Sequence, residues 1–151
     1  MPRVLFLCTG NTCRSALAEG IARARLGPPS GITFESAGLD ALDDAPATPH
    51  ALTVAAEAGV DLGAHRARQA TREIVERADY VYVMTRSQSE ALGRMRLLGG
   101  DGMALLDPAG DDIPDPYGAD LETYRRARDR IAAAVEGRLG EWVGPWGGIG
   151  G

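Results

Sequence analysis

The period of the apolar positions changes repeatedly along the chain, from short continuous runs to a spacing of three or four. Val4 to Leu7 are all apolar, and the run Arg3 to Cys8 predicts a strand buried on both faces, as in a parallel sheet. Helical spacing follows from Ser15 to Leu26 and stops at Gly27, Pro28 and Pro29. Ile32 to Ser36 predicts a second strand, with Gly38 marking its turn. Thr48 to Ala58 reads as a helix, with Thr48 at the cap, Pro49 in the first turn and Gly59 beyond the end. A weaker helical stretch covers Ala70 to Ala78. Tyr80 to Met84 predicts a third strand, Ser87 to Leu97 a helix, and Met103 to Leu106 a short fourth strand. The segment Asp107 to Ala119, rich in Asp, Pro and Gly, predicts an ordered surface loop. In the last helix Leu121, Tyr124, Ile131, Val135, Leu139 and Trp142 share one face, and arginines occupy the others.

Strands alternating with helices imply right-handed crossovers and a sheet covered on both sides. The prediction is therefore an α/β fold, a three-layer sandwich with a four-stranded parallel sheet, doubly wound in the flavodoxin-like manner. One domain is expected over residues 1–143, with the glycine-rich tail 144–151 fraying. In such sheets ligands bind at the carboxyl ends of the strands, at a switch point. The loop after the first strand lies there.

Composition narrows the partners. A chain of 151 residues that is 44% apolar and 25% charged is ordinary for one globular domain. No apolar run approaches the ~20 residues that span a bilayer, and the first residues are too short and too poor in basic groups for a secretory signal. The expectation is a cytoplasmic protein with no membrane partner. A net charge of −5 argues against nucleic acid, which needs a basic surface. All 16 basic residues are arginine, which removes Schiff-base chemistry and the lysine of the nucleotide-binding P-loop. Two cysteines do not make a disulfide scaffold, and His50 and His65 form no close-spaced ligand pair with either, so no metal is expected.

Both cysteines fall in one loop, CTGNTCRS, from Cys8 to Ser15. A loop between a strand's end and a helix's start gathers unpaired backbone N–H groups and the positive end of the helix dipole, and so suits an anion. Gly10 is expected to take the unusual backbone conformation that turns successive N–H groups inward as a nest. Arg14 adds a planar, permanently charged fork that fits two phosphate oxygens. Cys8, at the bottom of the cradle, feels the same positive field, and Ser15 can donate a hydrogen bond to its thiolate. A cysteine closing a buried strand is also ordinary core packing. The surrounding Gly, Asn, Arg and Ser favour an oxyanion receptor that contains a nucleophile.

CTGNTCRS resembles the C-x5-R-S phosphate-binding loop of the low-molecular-weight protein tyrosine phosphatases. DPYG, from Asp115 to Gly118, is similar to that family's acid-bearing loop. SAG from Ser36, HRARQAT from His65 and YVYVMT from Tyr80 carry the resemblance over most of the chain. It implies a two-step phosphoryl transfer without metal or cofactor. Cys8 would attack phosphorus, Arg14 would hold the equatorial oxygens, and Asp115 would serve first as acid and then as base. Thr9, Gly10, Asn11, Thr12, Cys13 and Ser15 would line the phosphate site, with Asp40 and Tyr117 at its rim. Asn11, Ser15, Ser36 and His65 would form a hydrogen-bonded network supporting the loop. Asp107, Asp111 and Asp112 compete with Asp115 as the acid, and the choice rests on DPYG, where Pro116 stiffens the approach.

Thr12 stands where tyrosine phosphatases of the family commonly carry a bulkier aliphatic residue. With ATPHA from Ala47 to Ala51, it resembles the protein arginine phosphatases, a bacterial branch. A smaller polar residue leaves room for a planar guanidinium. Asp40, where relatives often place an aromatic residue, would favour a cation over a phenyl ring. The predicted partners are phosphorylated proteins, with phosphoarginine favoured and phosphotyrosine as the alternative. Ala16 replaces the family's usual proline, a change that an excellent helix former tolerates. Arsenate reduction would need further cysteines for a disulfide relay. A silent phosphoprotein-binding module would have no use for Cys8, Arg14 and Asp115 together.

Overall fold

Strand β1, Arg3–Cys8, is central because its apolar run can be covered on both faces, and every residue after Arg3 is buried. In this computed structural model, residues 2–97 and 103–150 are described, with the backbone alone for 144–150. β1 pairs in parallel with β2, Thr33–Gly38, on one side and with β3, Tyr80–Val83, on the other. The short β4, Met103–Leu105, pairs with β3, so the strand order is β2-β1-β3-β4.

Alternation along β1 sorts its side chains between two cores. Val4, Phe6 and Cys8 join α1 (Arg14–Arg25), α2 (Pro49–Glu57) and the last helix, α5 (Leu121–Gly150). Leu5 and Leu7 face Val75 of α3 (Arg72–Glu76) and Leu92 of α4 (Arg86–Arg94). The larger core centres on Phe6, Phe34, Tyr82 and Trp142, whose edge-to-face and stacked ring centroids lie 5.3 to 6.3 Å apart. Trp142 is fully buried, and its indole N–H donates to the Tyr82 hydroxyl at 2.9 Å. This is the predicted three-layer, flavodoxin-like α/β fold.

Several element ends differ from the sequence reading. β2 continues to Gly38 because Ala37 and Gly38 pair with Leu7 and Cys8. The weak helix shortens to Arg72–Glu76, since the Ala70 N–H is committed to the Gly38 carbonyl and Thr71 caps the helix. α4 starts at Arg86 through a capping box between Thr85 and Gln88. A single 3-10 turn, Pro28–Ser30, was not foreseen. The glycine-rich tail, expected to fray from 144, instead continues α5 as helix to Gly150, while residue 151 lies outside the described residues.

From β1 the chain winds outward to β2, then crosses to β3 on the opposite side, which places the switch point at the carboxyl ends of β1 and β3. The loop from Thr9 to Cys13 opens into it. Among the described residues, no helix is long and apolar enough to cross a membrane.

Candidate active site

Cys8 ends β1 with 1% of its surface exposed, and its Sγ lies 2.9 Å from Ser15 Oγ and 3.3 Å from the Asn11 N–H. Asn11 Nδ2 donates to the same Ser15 oxygen at 2.8 Å, and the Ser15 proton is free to point at sulfur. The sulfur accepts from the Asn11 N–H and can accept from Ser15 as well, an arrangement suited to negative charge.

The left-handed turn of the loop falls on Asn11, at φ 57°, and not on Gly10 as expected. Asparagine tolerates this conformation, and its side chain locks it in place. Nδ2 also donates to Ser36 Oγ at 2.9 Å, and Oδ1 accepts from the Arg68 backbone N–H at 3.0 Å. His65 Nε2 lies 2.6 Å from the Asn11 carbonyl, and Ser36 Oγ donates to Glu19 Oε1 at 2.6 Å. Asn11, Ser15, Ser36 and His65 therefore come together, with Glu19 as an added member the sequence did not reveal.

Arg14 opens α1, whose first turn carries no side-chain cap, and the residue is 3% exposed. Nη1 donates to the Ile113 carbonyl at 2.9 Å and Nη2 lies 3.6 Å from Asp115 Oδ2, while the buried Nε has no partner among the described residues. A buried N–H left open at a helix start is where an oxyanion gains most.

Asp115 is the aspartate of its loop that reaches the Cys13 thiol and the Arg14 guanidinium. Its Oδ1 accepts from the Tyr117 N–H at 3.0 Å and from the Cys13 thiol at 3.7 Å. Asp107 instead caps Ala109 and pairs with Arg130, and Asp112 caps the Arg86 N–H. Cys13 is pushed up to about 12 by burial and then by the negative charges of Cys8 and Asp115, so it stays a neutral thiol. Both cysteines are free.

The rim is built by the segment after β2, whose Leu39 and Asp40 N–H groups donate to the carbonyls of Cys8 and Thr9 at 2.9 Å. Asp40 is exposed there, and Leu42 in the same segment is 78% exposed, an apolar side chain the sequence did not single out. Tyr117 is 69% exposed beside Asp115. Thr12 is half-buried, with its carbonyl held by the Thr48 N–H at 3.0 Å. His50 and Tyr124 pack edge to face, with ring centroids 5.2 Å apart.

The residues from Arg3 to Glu141, which contain this loop and the Asp115 turn, match the model of the low molecular weight phosphotyrosine protein phosphatase family. The chain belongs to that family. It is 36% identical to a probable low molecular weight protein-tyrosine-phosphatase of Ralstonia nicotianae, covering 88% of this chain and 90% of that one. It is 34% identical to a protein-arginine-phosphatase of Geobacillus stearothermophilus, over 92% and 94% of the two chains. A solved arginine phosphatase, a cysteine-to-serine mutant with a phosphorylated active-site serine, superposes with a TM-score of 0.86 at 27% identity, over 95% of this chain and 96% of the other. The reaction class of this phosphatase is that of its family, cysteine-dependent hydrolysis of phosphorylated protein side chains.

Gly38 is a supporting residue of this phosphatase that the sequence presented only as a turn. A Cβ there would sit 2.6 Å from the Thr9 carbonyl oxygen and 2.9 Å from Ala41 Cβ, so β2 can lie against the loop only as glycine. Gly38→Ala is expected to cost about 1–3 kcal/mol through overpacking and to weaken phosphate binding. Urea denaturation and phosphate calorimetry on the variant check this, and wild-type values in both would refute it.

Proposed function

We propose that Cys8, Arg14 and Asp115 carry out a two-step hydrolysis of protein phosphoarginine. The observation that carries the assignment is the convergence on one loop of a doubly hydrogen-bonded sulfur, a buried guanidinium with an open N–H, and a carboxylate 3.6 Å from that guanidinium. In the first step the Cys8 sulfur attacks phosphorus as the bond to the leaving nitrogen breaks, and Asp115 gives that nitrogen its proton. In the second, water attacks phosphorus, Asp115 takes a proton from the water, and the sulfur–phosphorus bond breaks to release phosphate. Arg14 and the N–H groups of the Thr9 to Ser15 loop other than that of Asn11, which serves the sulfur, hold the equatorial oxygens throughout. The phosphorylated serine in the cysteine-to-serine arginine phosphatase supports attack from the position that Cys8 occupies here.

The preference for arginine rests on Thr12, whose small polar side chain is half-buried in the loop, and on the exposed Asp40 beside Thr9. The similarity to the Geobacillus enzyme agrees with it. A tyrosine phosphatase is the second reading, favoured by the exposed Tyr117 and Leu42, which can flank a phenyl ring. Two free thiols suit a reducing cytoplasm.

The deciding experiment compares kcat/KM for a phosphoarginine and a phosphotyrosine peptide without metal, with Cys8→Ser as background. A phosphoarginine preference above about tenfold, ~1.4 kcal/mol of transition-state binding, is expected. Thr12→Ile is expected to collapse it. A phosphotyrosine preference, or a ratio unmoved by Thr12→Ile, overturns the arginine assignment and leaves the mechanism standing.

A further inference from the structure

Five polar or charged side chains are buried among the described residues: Asn11, Arg14, Ser15, Ser36 and Gln88. Four belong to the Cys8 loop or bond it from the β2 side. Gln88 is the fifth, 4% exposed in the first turn of α4, on the far side of β1.

All its polar atoms are committed. Oε1 accepts from the Met84 N–H at 2.8 Å and the Thr85 N–H at 3.2 Å, where β3 ends. Two backbone donors fix which end of the amide is oxygen, so Nε2 must face the other way. It donates to Thr9 Oγ1 at 3.2 Å, across 79 residues of sequence. Thr9 directly follows Cys8, and its carbonyl is already taken by the Asp40 N–H. The loop is thus gripped at Asn11 from the β2 side and at Thr9 from the β3 side. Capping alone would engage only the oxygen of Gln88. The bond to Thr9 needs the amide nitrogen as well.

We propose that Gln88 is a positioning residue that orients Thr9, and with it the first donor of the cradle, for the transferred phosphoryl group. It acts through Thr9 without touching substrate, and the proposal rests on the Cys8 loop being the phosphate site. Because Thr9 Oγ1 accepts from Gln88, the Thr9 hydroxyl proton is directed elsewhere.

The test uses the full-length chain with Thr9→Val, Thr9→Ser, Gln88→Met and the Thr9→Val/Gln88→Met double variant. Measured are kcat/KM on p-nitrophenyl phosphate, affinity for inorganic phosphate by calorimetry, and Tm. Thr9→Val leaves the α4 cap intact and is expected to lower kcat/KM about 10- to 100-fold, the range for groups that orient a site through another residue. Thr9→Ser, which keeps the hydroxyl, recovers most of that loss. Gln88→Met lowers both kcat/KM and Tm in the wild-type background. In the Thr9→Val background, where Nε2 has already lost its partner, it lowers Tm by less and kcat/KM no further.

Additive losses of activity, or wild-type activity in Thr9→Val, would overturn the proposal. If Gln88→Met fails to fold, the contrast between Thr9→Val and Thr9→Ser decides alone. If wild type turns over no p-nitrophenyl phosphate, the phosphatase reading falls instead, and phosphate affinity still reads the coupling.

Discussion

Cys8→Ser is expected to lower kcat/KM on p-nitrophenyl phosphate by at least about 10⁴-fold, the scale on which removing a nucleophile acts. Both partners of the sulfur, Ser15 Oγ and the Asn11 N–H, sit where they donate to it. A serine hydroxyl placed there has no base among those partners to take its proton, so it attacks phosphorus far more slowly than a thiolate. The rest of the cradle, including Arg14 and its bond to the Ile113 carbonyl, does not depend on sulfur. The variant should therefore retain phosphate affinity while losing turnover. Calorimetry with phosphate and single-turnover kinetics separate the two. Retained turnover would place the nucleophile elsewhere, and lost phosphate affinity would make Cys8 a structural residue.

Asp115→Asn is expected to cost about 10²- to 10⁴-fold, the usual weight of a positioned acid. The size should depend on the leaving group. Phenolate leaving from phenyl phosphate needs the proton more than nitrophenolate leaving from p-nitrophenyl phosphate, so the first substrate should lose much more. Asparagine preserves the shape and the acceptor for the Tyr117 N–H, which separates proton delivery from collapse of the turn. Asp112→Asn is the matched control, because Asp112 caps the Arg86 N–H and does not approach Arg14. An equal loss on both substrates would show that Asp115 acts through its charge on Arg14 and not as an acid.

Much of this site could be read from the chain because it is local. Seven consecutive residues, Cys8 to Arg14, hold the proposed nucleophile and the guanidinium, and the apolar strand before them and the helix after them are legible in the periodicity. The conformation inside the loop was less legible. Glycine is the general expectation for a left-handed residue, yet Asn11 takes it, because its side chain gains three hydrogen bonds there from partners 4, 25 and 57 residues away.

By itself the sequence determined the order of strands and helices and the placement of the Cys8 to Ser15 loop between a strand end and a helix start, since these follow from residues close along the chain. The tertiary structure alone decided which of four aspartates faces Arg14, that Gly38 must lack a side chain for β2 to approach Thr9, and that Gln88 reaches the loop from the far side of β1. Each of these depends on where remote segments meet when the two cores close on the sheet. Burial and hydrogen-bond geometry at those meetings select one residue among chemically equivalent ones, and periodicity carries no information about that choice.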